Sequence, residues 1–387
     1  MQTGRKLACR FPAPHPPRSP MSSTHIKSVT CLQVRLPFNH GAPAPLFAGK
    51  PRTTLDSGWI RVALNNGTVG WGESYGADLD ALSSIFRHRV APLAIGRDAL
   101  DDTLMLSLQR ALHLMGRSGP VVHALSGLDI ALWDIRGKLA GVPLYQLLGG
   151  ARRTRLRAYS SLLQYYGDIE AVQRNVARSL DAGYGAVKLH EKAHDAVAAA
   201  RGVMGAGMPL MVDVNCAWYL EEGVQAVRAM AALDLHWIEE PVWPPEDIRA
   251  LAALRQQTGV PTAAGENASS VLELSDMVST QSASYVQPSV IKCGGVTALW
   301  QIARQCASSP VKLAPHAAFF GPGYLATLQV LAAHAHEVVV ERIFCELGVV
   351  PYRDTVPLRD GAFDLPERPG LGADPEPELL ASAFVVH

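Results

Sequence analysis

Three carboxylates carry the most pointed chemical signal in this chain. Asp213 sits in Met211-Val-Asp-Val-Asn215, Glu239 in Trp237-Ile-Glu-Glu-Pro241, and Glu266 in Gly265-Glu-Asn267. Each closes a short apolar run and opens into turn-forming residues, and they stand 26 and 27 positions apart. A strand–helix–strand crossover takes about 30 residues. The spacing therefore predicts successive βα units with a carboxylate at the same point of each. Side by side at one end of a parallel sheet, three carboxylates repel one another unless a cation lies among them. Hard oxygen ligands of this kind favour Mg²⁺, with Mn²⁺ as the alternative.

Other polar residues recur in the same rhythm. Lys188 and His190, Asn215, Gln287 and Ser289, His316 and Glu341 each fall where an apolar run stops. Taken alone, each has a bland reading: a lysine or histidine at a strand end is usually a solvated or hydrogen-bonded edge. Seven ends in register instead describe a ring of chemistry at one rim. A divalent ion on the acids would grip a substrate carboxylate and stabilise the enolate left when the α-proton departs. A base is then required. Lys188 and His190 share a strand face, and His316 approaches from the opposite side. Nearby cations are expected to push the Lys188 pKa down. Glu239 and Glu240 should point to opposite strand faces, so only one of them can be a ligand.

The elements that must position these residues follow from periodicity. Strands are expected at 156–161, 185–190, 209–214, 235–239, 261–265, 284–288, 311–315 and 337–341. Helices are expected between them, at 168–182, 194–204, 221–233, 246–257, 270–278, 296–307 and 323–334. Such alternation fits a closed parallel barrel or an open doubly wound sheet. A Gly-rich phosphate loop after the first strand is missing, which argues against the open, dinucleotide-binding form. Before the barrel comes an α+β pattern: a strand at 26–36, a loop at 37–54 holding His40, a hairpin through Asn65-Asn66-Gly67, helical periodicity at 79–114 and a strong helix at 121–140. Residues after Pro351 read as strands and turns packing back onto that first domain. The expected division is a disordered tail at 1–25 (with Met21 as a candidate start), a capping domain at 26–152, a barrel at 153–348 and a returning segment at 349–387.

Composition narrows the class. The 387 residues are 48% hydrophobic and 18% charged, with Lys+Arg equal to Asp+Glu at 35 each. This balance speaks against a nucleic-acid or membrane-surface binder, and no apolar run approaches the roughly 20 residues of a membrane span. Six scattered cysteines without a Cys-x-x-Cys pair fit a reduced compartment, read as the cytoplasm. The partner expected is a small carboxylate-bearing substrate, and the assembly a homo-oligomer.

With these residues in view, the chain resembles the enolase superfamily and, within it, the mandelate racemase-like subgroup. The resemblance rests on Gly70-Trp-Gly-Glu73, on the helix from Ala124 to Asp134, on Leu148-Gly-Gly150, on the three acidic motifs, and on Lys292-Cys-Gly-Gly-Val296. It implies a (β/α)₇β TIM-like barrel under an α+β cap, one Mg²⁺ on Asp213, Glu239 and Glu266, and proton abstraction α to a carboxylate. It also implies that the 37–54 loop helps to choose the substrate. Catalysis is expected from Lys188, His190 and His316, and substrate binding from Asn215, Ser289, Glu341 and His40. Two departures stand out. The family's strand-two Lys-x-Lys is Lys188-Leu-His190 here, and the aspartate that usually partners the strand-seven histidine is Ser289. A serine cannot lend charge to an imidazole, which favours single-base chemistry. The reading is a dehydratase converting an aldonate or aldarate to a 2-keto-3-deoxy acid. The alternatives are a racemase, epimerase or cycloisomerase of a similar acid, and a non-catalytic metal-binding homologue.

Overall fold

The computed structural model describes residues 23–352, 356–382 and 385–386. Nearly all of the expected tail at 1–25, and the start of the strand expected near 355, lie outside the described residues. Three antiparallel strands open the chain, Ile26–Asn39, Thr54–Leu64 and Val69–Tyr75. The Asn65-Asn66-Gly67 turn joins the last two, with Gly67 at φ +88. The first strand runs past the expected 36 because Phe38 and Asn39 find partners in Leu347 and Glu346, beyond the barrel. Part of the expected loop also folds, into a short hairpin of Leu46–Phe47 with Lys50–Pro51.

The helix Pro120–Ala140 lies across the third strand. Glycine makes that approach close. A Cβ on Gly72 would meet the Gly127 carbonyl oxygen at 1.9 Å, and one on Gly70 would meet that of Ala131 at 2.4 Å. The Gly-Trp-Gly-Glu motif thus clears one strand face for the helix and keeps Trp71 and Glu73 for the other. The helical stretch expected at 79–114 is interrupted. Helices Leu79–Ile85 and Ala91–Ala94 flank a π-turn, and Leu104–Ala111 follows only after a break. In the break Gly96 adopts φ +82, and the carboxylates of Asp98 and Asp101 accept from the backbone N–H groups of Leu100 and Thr103. These local side-chain bonds compete with the helix.

From Arg155 the chain forms a TIM-like barrel. Its parallel strands are Arg155–Ser161, Val187–Leu189, Leu210–Asp213, Leu235–Glu239, Thr262–Ala264, Tyr285–Val286, Lys312–Leu313 and Val340–Ile343. Each pairs with the next up to the seventh, and the eighth pairs with the first. Seven helices cover the outside, at the positions expected from periodicity. The last of them, Pro322–Ala333, is buried on every side because it lies between barrel and cap.

Inside the barrel, Tyr159, Ala186, Met211, Trp237, Ala263 and Ala314 form a filled layer. The alanines leave room for the rings. Two residues further along these strands come Ser161, Lys188, Asp213, Glu239, Gly265 and His316. Period-two geometry therefore lifts the polar residues one layer above a solid floor. The C-terminal stretch extends the barrel sheet, with Ala362–Asp364 antiparallel to Arg155–Arg157. It also meets the cap, through Tyr352 stacked on Trp59, through the Leu371 N–H on Asp134, through Leu379, and through Val385–Val386 against Gln33–Val34. Among the described residues no helix is long and apolar enough to cross a membrane.

Gly72→Ala should cost at least ~1–3 kcal/mol, the usual penalty of overpacking, because its obstacle is backbone rather than a movable side chain. Thermal denaturation followed by circular dichroism checks this, and an unchanged melting temperature would contradict the close helix–strand approach.

Candidate active site

Asp213, Glu239 and Glu266 end the third and fourth barrel strands and follow the fifth. Each offers a carboxylate oxygen within 4.8 Å of the others. Backbone and ring donors hold two of them in place: Asn215 N–H donates to Asp213 Oδ1 (2.9 Å), and Trp237 Nε1–H to Glu239 Oε2 (3.0 Å). An all-oxygen set of this kind fits a hard divalent cation.

Positive charge surrounds the trio. Lys188 is fully buried, and its Nζ lies 2.7 Å from Glu239 Oε1, 2.9 Å from Glu341 Oε1 and 3.4 Å from Asp213 Oδ2. Burial works to lower its pKa, but Glu239 and Glu341 outweigh it and hold the ammonium well above the ordinary lysine range. Burial likewise works to raise Asp213, yet Lys188 and His190 keep it well below the usual carboxylate range. Glu239 is pushed by burial up to about 8. Glu341 is drawn down to about 2 by Lys188 and His316 against its burial, and its Oε2 accepts from Ala317 N–H.

Two histidines bracket the acids. His190 Nε2 lies 3.2 Å from Asp213 Oδ2, and His316 Nε2 lies 3.1 Å from Glu266 Oε2. His190 Nδ1 sits 2.6 Å from the Leu162 carbonyl oxygen. A carbonyl can only accept, so Nδ1 carries a proton and Nε2 is the nitrogen left for exchange. His316 Nδ1 lies 3.2 Å from Ser289 Oγ.

A cavity of about 810 Å³ opens above this cluster, between barrel rim and cap. His190, Asn215, Glu266, His316 and Glu341 line it, whereas Lys188 and Ser289 lie beneath the surface. His40 does not line it. The ring stacks on Tyr165 at 5.4 Å, buried beside the cavity wall.

Two family models match this chain: "Enolase C-terminal domain-like" over residues 171–379, and "Mandelate racemase / muconate lactonizing enzyme, N-terminal domain" over 48–149. It belongs to the enolase superfamily, in the mandelate racemase-like subgroup. The L-talarate/galactarate dehydratase of Salmonella typhimurium is 32% identical over 333 residues, 84% of this chain and 81% of that one. The D-galactarolactone cycloisomerase of Agrobacterium fabrum is 30% identical over 334 residues, 81% of this chain and 88% of that one. A magnesium complex of a mandelate racemase/muconate lactonizing protein from Paracoccus denitrificans superposes with a TM-score of 0.80 at 30% identity, covering 92% of this chain and 97% of that one.

This superfamily member also presents residues that sequence reasoning passed over. Glu240 was expected to face away from Glu239, but it adopts φ +45, ends the strand and lines the same cavity. Alternation does not extend past a residue in the left-handed region. Asn267 donates to both Glu240 oxygens (3.0 and 2.9 Å), and Lys292 Nζ lies 3.1 Å from Asn267 Oδ1 and 3.7 Å from Glu266. Lys292 had been noted only as part of a motif. From the cap, Glu73 reaches the cavity wall and accepts from Gly323 N–H (2.9 Å), in the first turn of the last barrel helix. Its place in Gly-Trp-Gly-Glu was the available signal.

Burial raises the Glu73 carboxyl from 4.5 to about 7, with hydrogen bonds from Ser57, Gly323 and Trp59 opposing. A carboxyl whose folded pKa lies above its unfolded value holds an extra proton in the folded state. Its charging therefore costs stability as pH rises from about 4.5 through about 7. Glu73→Gln should remove that cost, so its melting temperature relative to wild type should climb between pH 5 and pH 8. A difference that stays constant across that range would show that Glu73 does not titrate in this way.

Proposed function

We propose that this protein is a Mg²⁺-dependent enzyme that removes the proton α to a carboxylate and dehydrates a sugar acid to a 2-keto-3-deoxy acid. The observation that carries the reading is the bracketing of three convergent carboxylates by two histidines. Asp213, Glu239 and Glu266 would hold the Mg²⁺, or Mn²⁺ in its place. When bound, that ion supplies Lewis-acid stabilisation of the negative charge that develops on the substrate carboxylate.

The chain's own residues divide the remaining work. His190 takes the α-proton on Nε2, since the Leu162 carbonyl fixes the proton of Nδ1 and the imidazole faces the cavity. Lys188, beneath the surface, balances the acids and keeps their charge compact. His316, beyond Glu266, delivers a proton to the departing β-hydroxyl. Its Nδ1 faces the hydroxyl of Ser289, and its Nε2 faces Glu266. Asn215 and Glu341 contact the substrate at the rim. The printed activities of the relatives, a dehydratase and a cycloisomerase, both fit a carboxylate-bearing sugar acid. A cytoplasmic setting belongs to the same reading, as the five cysteines among the described residues are free.

Cycloisomerisation is the second reading, because it shares the first proton transfer. The two differ in mass balance: dehydration gives a product lighter than the substrate by one water, and cycloisomerisation gives an isomer of the same mass, which mass spectrometry distinguishes. Chelation with EDTA, or Glu266→Gln, should abolish turnover, and Mg²⁺ should restore only the chelated wild type. Turnover that survives either treatment would remove the metal from the reading. Solvent-deuterium exchange at the α-carbon separates the histidines. His190→Ala should lose exchange, whereas His316→Asn should lose the keto product and keep exchange. The reverse pattern would exchange their roles.

A further inference from the structure

The cap wall of the cavity carries a charge that the chemistry above does not use. Four basic side chains line the cavity: Arg52, His190, Lys292 and His316. Three are ion-paired, His190 with Asp213 and both Lys292 and His316 with Glu266. Of these four, Arg52 alone has no carboxylate in ion-pairing contact among the described residues. Its Nε–H donates to the Thr54 carbonyl at 3.3 Å, and its guanidinium lies 5.6 Å from the Phe47 ring centroid. Those contacts fix the plane of the group, and among the described residues neither terminal nitrogen has a hydrogen-bond partner. The nearby Asp56 faces Arg35 at 3.8 Å. Around Arg52 the cap wall is apolar, with Leu36, Leu46, Phe47 and Leu55 also lining the cavity.

A guanidinium fork presents parallel N–H donors that match a carboxylate in two-point contact. Apolar surroundings strengthen such a pair by excluding water. Leu46 and Phe47 are 55% and 48% exposed, so a ligand lying against Arg52 would also cover apolar surface at the cavity mouth.

We infer that Arg52 is a second anion-binding point at the cap end of the cavity, and that the substrate carries an anionic group at each end, as an aldarate does. One carboxylate meets the acidic cluster on the barrel rim, and the far carboxylate meets Arg52. The inference rests on the proposed sugar-acid chemistry for its reaction, but the binding it describes does not depend on turnover.

The test pairs acids of equal length and stereochemistry: galactarate against galactonate, with 6-phosphogalactonate as a monocarboxylate carrying a distal phosphate. Wild type and Arg52→Gln are compared in Mg²⁺ by isothermal titration and by kcat/KM, and circular dichroism verifies that the variant folds. Wild type should bind and turn over the diacid at least about 10-fold better than the monoacid. Arg52→Gln should lose that preference, binding the two acids about equally, mostly through KM for the diacid, and Arg52→Lys should recover part of it, as expected when a charge-recognising site loses its partner. Equal losses on both acids, or a wild type that binds the monoacid as well as the diacid, would overturn the inference. A wild type preferring the phosphorylated acid over the diacid would also overturn the assignment to aldarates. Diacid-selective binding that requires Arg52 but yields no turnover would uphold the subsite while removing the dehydratase reading.

Discussion

The rest of the active site depends on one constraint, the repulsion among acids gathered in a buried space. Asp213, Glu239 and Glu341 converge on the ammonium of Lys188, which has no exposure to solvent. Removing one partner from such a buried set leaves an uncompensated charge, at a cost of about 3–5 kcal/mol. Balance explains why these residues sit where they do. Lysine is long enough to pass up from the second strand and reach three carboxylates on the third, fourth and eighth. The floor of Tyr159, Met211 and Trp237 gives it no route downward. Glu266, on the far side, is balanced instead by Lys292 and His316. The site is therefore two charge-compensated halves meeting at the acidic trio.

A second constraint joins the cap to the barrel. The cavity exists only where the two meet, so their relative placement sets its shape. Gly70, Gly72 and Gly127 let the long cap helix close on its sheet. The strand thus braced delivers Glu73 to the amino end of the helix Pro322–Ala333, where the Gly323 N–H donates to its carboxylate and the helix dipole favours negative charge. The same helix begins six residues after His316. One buried carboxyl thereby ties the sheet that ends beside the cap loop to the segment that carries the acid–base histidine.

Much of this was legible in the sequence because barrels impose a rhythm. Alternating apolar runs and amphipathic stretches placed the strand at 235–239 and the helix at 194–204 where they stand. The same rhythm put the acids in register. What escaped the reading lay where the rhythm stops. Glu240 takes positive φ just beyond its strand end, and there period-two reasoning no longer says which way the side chain turns. The helix expected at 79–114 broke because two aspartates preferred their own backbone. His40 could be placed on the cap loop but not in the cavity, since its orientation is set by stacking on Tyr165, a contact across 125 positions. Arg52 was invisible as a site residue for the same reason: its significance lies in lacking a partner, and sequence does not show partners.

The departures from the family pattern make one argument when taken together. A carboxylate beside His316 would strengthen it as a base and would give the substrate bases on both faces, as racemisation requires. Ser289 offers only a hydroxyl, 3.2 Å from Nδ1. His190, with Nδ1 committed to the Leu162 carbonyl, keeps Nε2 as its exchangeable nitrogen, 3.2 Å from Asp213 Oδ2. In the proposed reaction one histidine receives a proton and the other releases one, with the acidic trio between them. A proton taken on one side and returned on the other to a leaving oxygen is the bookkeeping of elimination. The asymmetry between a carbonyl-fixed imidazole and a hydroxyl-partnered one is what favours dehydration over a symmetric two-base exchange.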